Sequence, residues 1–340
     1  MIRVSDSKYL MAYLLPACML IGLWMGSYLA WLPVVMGFVL IPLVELLLPF
    51  RVDTGPREER IHPIFDYLLY LNVLWVYGLT AFFLFKVSHS ESLMEQIGFT
   101  WSMGLVLGTN AINVAHELGH RTTWFETFLA RLLLVPCLFT YFTIEHNRGH
   151  HKHVGTPVDP ATASMGQSIY RYWLRALPGV FMNAWNLERE RLHRSGLPTW
   201  SPGNAMISGL LSHVVYLAIV FSVFGSIALW CAIGAALYSI LLLEAINYVE
   251  HYGLTRAMLP NGHYERVQPK HSWNSDRTLG RIMLFELSRH SDHHHRSARP
   301  YQNLQAHIDA PELPTGYPGS LLLTLIPSIW FRVIDRRIPT

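Results

Sequence analysis

The sequence predicts an all-α integral membrane protein, with six transmembrane helices and a cytoplasmic helical cap that carries a histidine-rich metal site. Three observations lead there. Of 340 residues, 51% are apolar and only 14% are Asp, Glu, Lys or Arg, against roughly 25% charged residues in a soluble domain. The charges are missing from long stretches: Glu45 is the only one between Tyr9 and Phe50, and Ala205–Leu243 has none. Eighteen histidines gather largely in short clusters. A soluble fold would have to expose the apolar stretches, so a cytosolic enzyme and a disordered chain are both excluded.

A helix crosses the hydrocarbon core with roughly 20 apolar residues. Tyr9–Phe50 has room for two spans, with a break expected near Trp31-Leu32-Pro33. Tyr67–Phe85 is the third, and Gln96–Ala115 the fourth, running straight into His116. Leu132–Ile144 is apolar but short and holds Pro136, which suits an interfacial or buried helix. Ala205–Leu243, extended to Tyr248, supplies the fifth and sixth spans, with a turn at Gly225-Ser226. Gly319–Phe331 is again too short to cross. Four segments follow: 1–120 with the first four spans, 121–204 as a cytoplasmic stretch, 205–250 with the last two spans, and 251–340 as a cytoplasmic C-terminal part.

Basic residues orient the spans. With both termini inside, outer loops hold only Lys86, and the other 25 of the 26 Lys and Arg residues fall on the inner side. Tyr9–Phe50 is too long for the core of a cleavable signal. Cys18, Cys137 and Cys231 are isolated in apolar surroundings and form no CxxC, which excludes a thiolate zinc or iron site. No GxGxxG follows a strand and no P-loop occurs, so no nucleotide or flavin module is visible. The modest basicity is the positive-inside bias, and no nucleic-acid partner is expected.

The histidines form four clusters. His116-Glu-Leu-Gly-His120 closes the fourth span. His146-Asn-Arg-Gly-His150-His151 follows the short apolar helix. His251 ends the sixth span, and His290-Ser-Asp-His293-His294 lies in the C-terminal part. Helical residues three or four apart share a face, so His116 pairs with His120, His146 with His150, and His290 with His293 and His294. One such pair is routine on an amphipathic helix, whereas four clusters on one side of the membrane point to metal. Nine imidazoles exceed the need of one ion; two six-coordinate ions would leave about three positions for water, oxygen or a bridge. All-imidazole sites suit Fe, Cu, Ni or Zn, and two irons with open positions fit oxygen activation.

The HxxxH, HxxxHH and HxxHH series resembles the integral-membrane di-iron superfamily of desaturases and hydroxylases. Within it, HELGH, EHNRGHH followed by Thr156-Pro-Val-Asp-Pro160, NYVEHYGL (Asn247–Leu254) and RHSDHH are similar to the alkane hydroxylase family, and the resemblance extends from the first span to Pro339. It implies a terminal alkane 1-monooxygenase of the bacterial inner membrane that uses two Fe ions and O2. Its electrons would come from rubredoxin, kept reduced by an NADH-dependent rubredoxin reductase. It also implies that His116, His120, His146, His150, His151, His251, His290, His293 and His294 are the iron ligands. The chain stops soon after Pro339 without a rubredoxin domain, so the donor is expected to be a separate protein.

HELGH also fits HExxH, the zinc-peptidase helix with a glutamate base, but that reading leaves the other histidines unexplained. A metal carrier would string its ligands along a path across the bilayer. Hydroxylation or desaturation of another lipid or of an aromatic methyl group is the nearer alternative. Glu117, Glu145, Asp159, Asn247, Glu250 and Asp292 lie in or beside the clusters. Metal-bound imidazole commonly donates its other N–H to such groups; the competing role is solvated charge or capping. An apolar substrate would arrive through the bilayer, where Gly37 either leaves it room or packs a helix closely. Arg189, Arg191 and Arg194, or Arg148 with Lys152, can steer an acidic donor.

Overall fold

A computed structural model describes residues 4–48, 50, 52 and 59–339. Arg3, Arg51 and Arg57, counted above for orientation, lie outside the described residues. The described chain is helical, with only isolated bridges such as Met258 to Tyr264 and no sheet. Four of its helices are long and apolar enough to cross a membrane: Asp6–Met25, Ser27–Leu47, Ile64–His89 and Ala205–His251. Contacts divide the chain into two units. The first is Met1–Val39, His62–Ile144 and Ala184–Leu243; the second is Leu40–Ile61, Glu145–Asn183 and Glu244–Thr340.

In the first unit, α1 (Leu14–Met25) stops at Gly26, which adopts φ 70°, followed by Ser27 at φ 55°. The break between the first two apolar runs therefore sits at Gly26-Ser27, several residues before the expected Trp31-Leu32-Pro33. Glycine takes left-handed φ at little cost, while Pro33 falls in the first turn of the short helix Leu32–Val35, where its missing N–H is not needed. Gly37 lies in the π-helical turn Met36–Leu40. A Cβ on Gly37 would stand 2.9 Å from Leu105 Cδ2, which is close helix packing.

The third run is α2 (Ile64–His89). The fourth is one continuous rod, made of α3 (Leu93–Val106), a π-helical stretch Leu107–Ile112, and α4 (Asn113–Gly119). Ser92 starts α3 by accepting the Glu95 N–H at 3.4 Å. Buried Asn110 on the π stretch donates to Asn72 Oδ1 at 2.9 Å and to the Ala12 carbonyl at 3.0 Å, so three elements share one satisfied polar knot. Thr123 Oγ1 opens α5 (Trp124–Leu134) by accepting the Glu126 N–H at 3.2 Å, and donates to the Glu126 carboxylate at 2.7 Å.

Helix α6 (Ile169–Arg194) precedes α7 (Ala205–His251), which runs 47 residues with a non-helical Gly225 at φ 82°, ψ −175°. That is about twice a span, and the kink falls at the expected Gly225-Ser226 turn. Asn204 caps α7 by accepting Met206 N at 2.8 Å and Ile207 N at 3.2 Å.

In the second unit, Glu45, the lone charge of the first 42-residue apolar block, has a purpose. Its carboxylate accepts Gly280 N at 2.8 Å, and its carbonyl accepts Arg277 Nη1 at 2.9 Å. Gly280 lies on α8 (Thr278–Met283). The histidine helix α9 (His290–His295) follows buried Arg289, which donates to Asp276 at 2.7 Å and to the Leu304 carbonyl at 2.9 Å. The last apolar stretch is split between α10 (Tyr317–Thr324) and α11 (Pro327–Ile334).

Candidate metal centre

Each unit carries part of the histidine set. In the first, His116 lies on α4, and His120 caps that helix at φ −84°, ψ −9°, so the helical spacing brings their ring centroids to 5.2 Å. Burial, aided by the Arg121 charge, holds the His120 imidazole down at about 4. Glu117 between them pairs with Arg121 at 2.8 Å, and Arg121 also reaches Asp66 at 3.6 Å.

The second unit holds the other seven. His146–His150 is a π-helical turn, continued by His151–His153. The difference from an α-helix matters, because π geometry bonds residue i to i+5: the His151 N–H reaches the His146 carbonyl. Accordingly His146 meets His151, Nε2 to Nε2 at 2.9 Å, and His151 meets His293 at 3.1 Å. His150, expected beside His146, turns to another set. His150, His251, His290 and His294 are all buried and bring one ring nitrogen each within 4.8 Å of one another. His251 and His290 face each other Nε2 to Nε2 at 3.1 Å. On α9 the i, i+4 pair His290 and His294 belongs to this set, while His293 leaves it for His146 and His151. The expected single face of three histidines therefore serves two groups.

Two carboxylates fix which nitrogen faces inward. Asp159 accepts His150 Nδ1 at 2.9 Å, and Glu250 accepts His290 Nδ1 at 3.2 Å. Burial opposes charge on His150, but Asp159 outweighs it and lifts that ring to about 9, while Asp159, despite its own burial, is held below the usual carboxylate range by His150. With Nδ1 donating, His150 Nε2 is left buried with no hydrogen-bond partner, and both ring nitrogens of His294 are in the same condition. Buried polar atoms are rarely unpaired. Convergent ring nitrogens left without a hydrogen-bond partner are what a metal cation satisfies, so these residues can hold one.

The remaining predicted neighbours bind elsewhere. Glu145 accepts Asn183 Nδ2 at 2.9 Å, and burial, reinforced by Asp159, pushes it up to about 8. Asn247 donates to Glu244 at 3.4 Å. Asp292 accepts Arg299 at 2.8 Å, the Gln305 N–H at 2.9 Å and His307 at 2.7 Å. It ties α9 to the chain that follows.

Residues 96–319 match the fatty acid desaturase family. Over 344 residues the chain is 38% identical to alkane 1-monooxygenase 1 of Alcanivorax borkumensis, covering 97% of this chain and 84% of that protein. It is 36% identical to the alkane 1-monooxygenase of Ectopseudomonas oleovorans, covering 98% and 86%. The chain belongs to the alkane 1-monooxygenase family. Identity falls to 29%, over 95% of this chain and 87% of the relative, for the xylene/toluene monooxygenase hydroxylase component XylM of Pseudomonas putida.

In this family member, several site neighbours carry no signal in the sequence. Tyr317 donates to Glu250 from 67 residues away. Glu244, buried within α7, accepts Tyr172 OH at 2.9 Å, and His307 reads as an ordinary surface histidine until Asp292 is seen beside it. His271 uses both nitrogens within the protein, accepting Gln268 N at 3.0 Å and meeting Glu265 at 3.1 Å.

Proposed function

We propose that this alkane 1-monooxygenase family member hydroxylates the terminal carbon of alkanes to primary alcohols at a centre of two irons. Rubredoxin, reduced by its NADH-dependent reductase, supplies the electrons. The observation that carries this reading is the buried set His150, His251, His290 and His294, whose ring nitrogens converge and in which His150 Nε2 and both nitrogens of His294 have no hydrogen-bond partner, in a chain related along nearly its whole length to named alkane 1-monooxygenases. We assign one ion to that set. The second goes to His146, His151 and His293, and the family resemblance implies His116 and His120 as the remaining iron ligands.

Iron bound there supplies oxygen activation and attack on an unreactive C–H bond. The chain's own part is placement. Asp159 and Glu250 each hold the Nδ1 proton of a ligand, so that Nε2 presents its lone pair and the ring cannot turn. Glu117, Glu145, Asn247 and Asp292 support the same region at one remove, through Arg121, Asn183, Glu244, and Arg299 with His307. Apolar helices bring the substrate from the bilayer and keep bulk water from the reacting carbon.

The six-span arrangement with cytoplasmic termini, in a bacterial inner membrane, remains part of this proposal. It is supported by the basic residues and by the kink that halves α7. For donor docking, Arg191 and Arg194 are engaged by Glu188 at 2.7 Å and Glu190 at 3.0 Å. Arg189 and Lys152 are exposed and are the better candidates. The zinc-peptidase reading of HELGH gives way to the family relationship.

The test is iron analysis of the purified protein joined to turnover with rubredoxin, its reductase and NADH. About two irons per chain and octanol from octane are expected. Iron-loaded protein that makes no octanol refutes the alkane assignment. Xylene belongs in the substrate series because of the relationship to XylM.

A further inference from the structure

Within the first unit lies a groove of about 280 Å³ that plays no part in the metal chemistry. One wall is α5 and the residue after it, with Phe128, Leu132 and Val135; the other is the start of α7, with Ala205, Gly209 and Ser212. Thr140 forms the floor, and its hydroxyl meets His213 Nε2 at 3.0 Å. Gly209 permits the close approach, since a Cβ there would stand 2.3 Å from Thr140 Oγ1.

Arg131 is the one charged residue of the lining, which is otherwise apolar apart from the hydroxyls of Thr140, Ser208 and Ser212. The arginine side chain is exposed, and among the described residues it has neither an ion pair nor a hydrogen bond. An unmatched guanidinium beside an apolar trough is complementary to an amphiphilic anion. Both flanks expose large apolar side chains. Trp124 is 77% exposed and stacks on Phe128 with ring centroids 5.4 Å apart, and Leu211, Val214 and Val215 lie exposed along α7. Tryptophan is enriched at the membrane–water boundary, the depth at which phospholipid phosphates lie. The volume is near the lower end for small-molecule pockets, roughly 300 Å³. It admits an alkyl chain and is too small for a helix. A purely apolar guest would leave Arg131 unused.

We propose that this groove is a binding site for an anionic phospholipid, with the phosphate on Arg131 and one acyl chain lying between α5 and α7. Arginine suits that role because its planar fork matches phosphate oxygens in pairs. The proposal does not depend on the identity of the metal or the substrate.

Native mass spectrometry of the full chain in detergent, titrated separately with dioleoylphosphatidylglycerol and dioleoylphosphatidylcholine, tests it. Phosphatidylglycerol should bind at least about tenfold more tightly. Arg131→Gln should remove about that factor, the worth of a hydrogen bond between charged groups, while leaving the unfolding temperature unchanged. Val135→Trp, which fills the trough and keeps the arginine, should weaken both lipids. Equal binding of the two lipids, or undiminished phosphatidylglycerol binding by R131Q, overturns the assignment. Binding of decane with neither lipid retained also overturns it, and makes the groove a site for substrate.

Discussion

Asp159→Asn is the sharpest probe of how the chain orients the histidines proposed as metal ligands. The Asp159 carboxylate is buried and accepts three donors: His150 Nδ1 at 2.9 Å, Thr162 Oγ1 at 2.6 Å and Ala161 N at 3.0 Å. Asparagine has nearly the same shape but offers one acceptor oxygen and one N–H2 donor. If its oxygen keeps Ala161, the amide N–H2 faces His150 Nδ1. That nitrogen must then accept, and the ring proton moves to Nε2, the atom that points among His251, His290 and His294. A metal must displace that proton to bind. Losing such a partner typically costs 10- to 100-fold in metal affinity, or about 1.4–2.8 kcal/mol. The assay is iron retained against a graded chelator, with thermal unfolding of the same samples in parallel. A weakened loop alone predicts a lower unfolding temperature and normal iron affinity. Wild-type iron retention in D159N refutes the orienting role.

Further outcomes follow from other contacts. Glu250→Gln should lower iron retention about tenfold by disturbing His290, whereas Tyr317→Phe, which leaves that carboxylate in place, should cost less; equal losses in iron analysis would contradict this order. Gly225→Ala puts a Cβ into φ 82°, ψ −175°, a region close to glycine-only, and should destabilise by about 1–3 kcal/mol in detergent unfolding; an unchanged transition would mean the kink is not strained. Burial holds Glu312 up at about 8, so the folded chain keeps a proton that the unfolded chain releases near pH 4.3. That contribution is complete below the lower value and is lost as pH climbs through the higher one. Glu312→Gln should therefore flatten stability between about pH 5 and 8, and a slope equal to that of the wild type counts against it. Gly37→Trp must push Leu105 aside and should shorten the alkane chains accepted; an unaltered product profile would leave Gly37 a packing residue only.

Much of the fold was legible because it rests on bulk composition. Apolar runs of span length stay helical whatever they pack against, and Gly225 announced its kink. The break falls at Gly26 and not at Pro33, because Pro33 is harmless in a first turn and Gly26 supplies the left-handed φ. The nine histidines stood out by number and spacing. Their partition did not, since the His146–His150 turn is π and does not follow α-helical periodicity. One added residue per turn moved His150 into a different set and brought His151 to His146. Asp159 and Glu250 were visible as neighbours, but Tyr317, Glu244 and His307 enter through contacts made across long stretches of chain, which local pattern does not encode.

The six residues of α9 place His290 and His294 in one histidine group and His293 in the other. The ordering of that single turn and a half of helix is thus a cost common to both groups. If two ions bind as proposed, whichever arrives first meets that cost, and the second finds its share of ligands already set. Loading should accordingly be cooperative, so that a preparation given half its iron consists mainly of filled and empty molecules, with few carrying one ion. Average iron content then reports the active fraction directly, and turnover should rise in proportion to it.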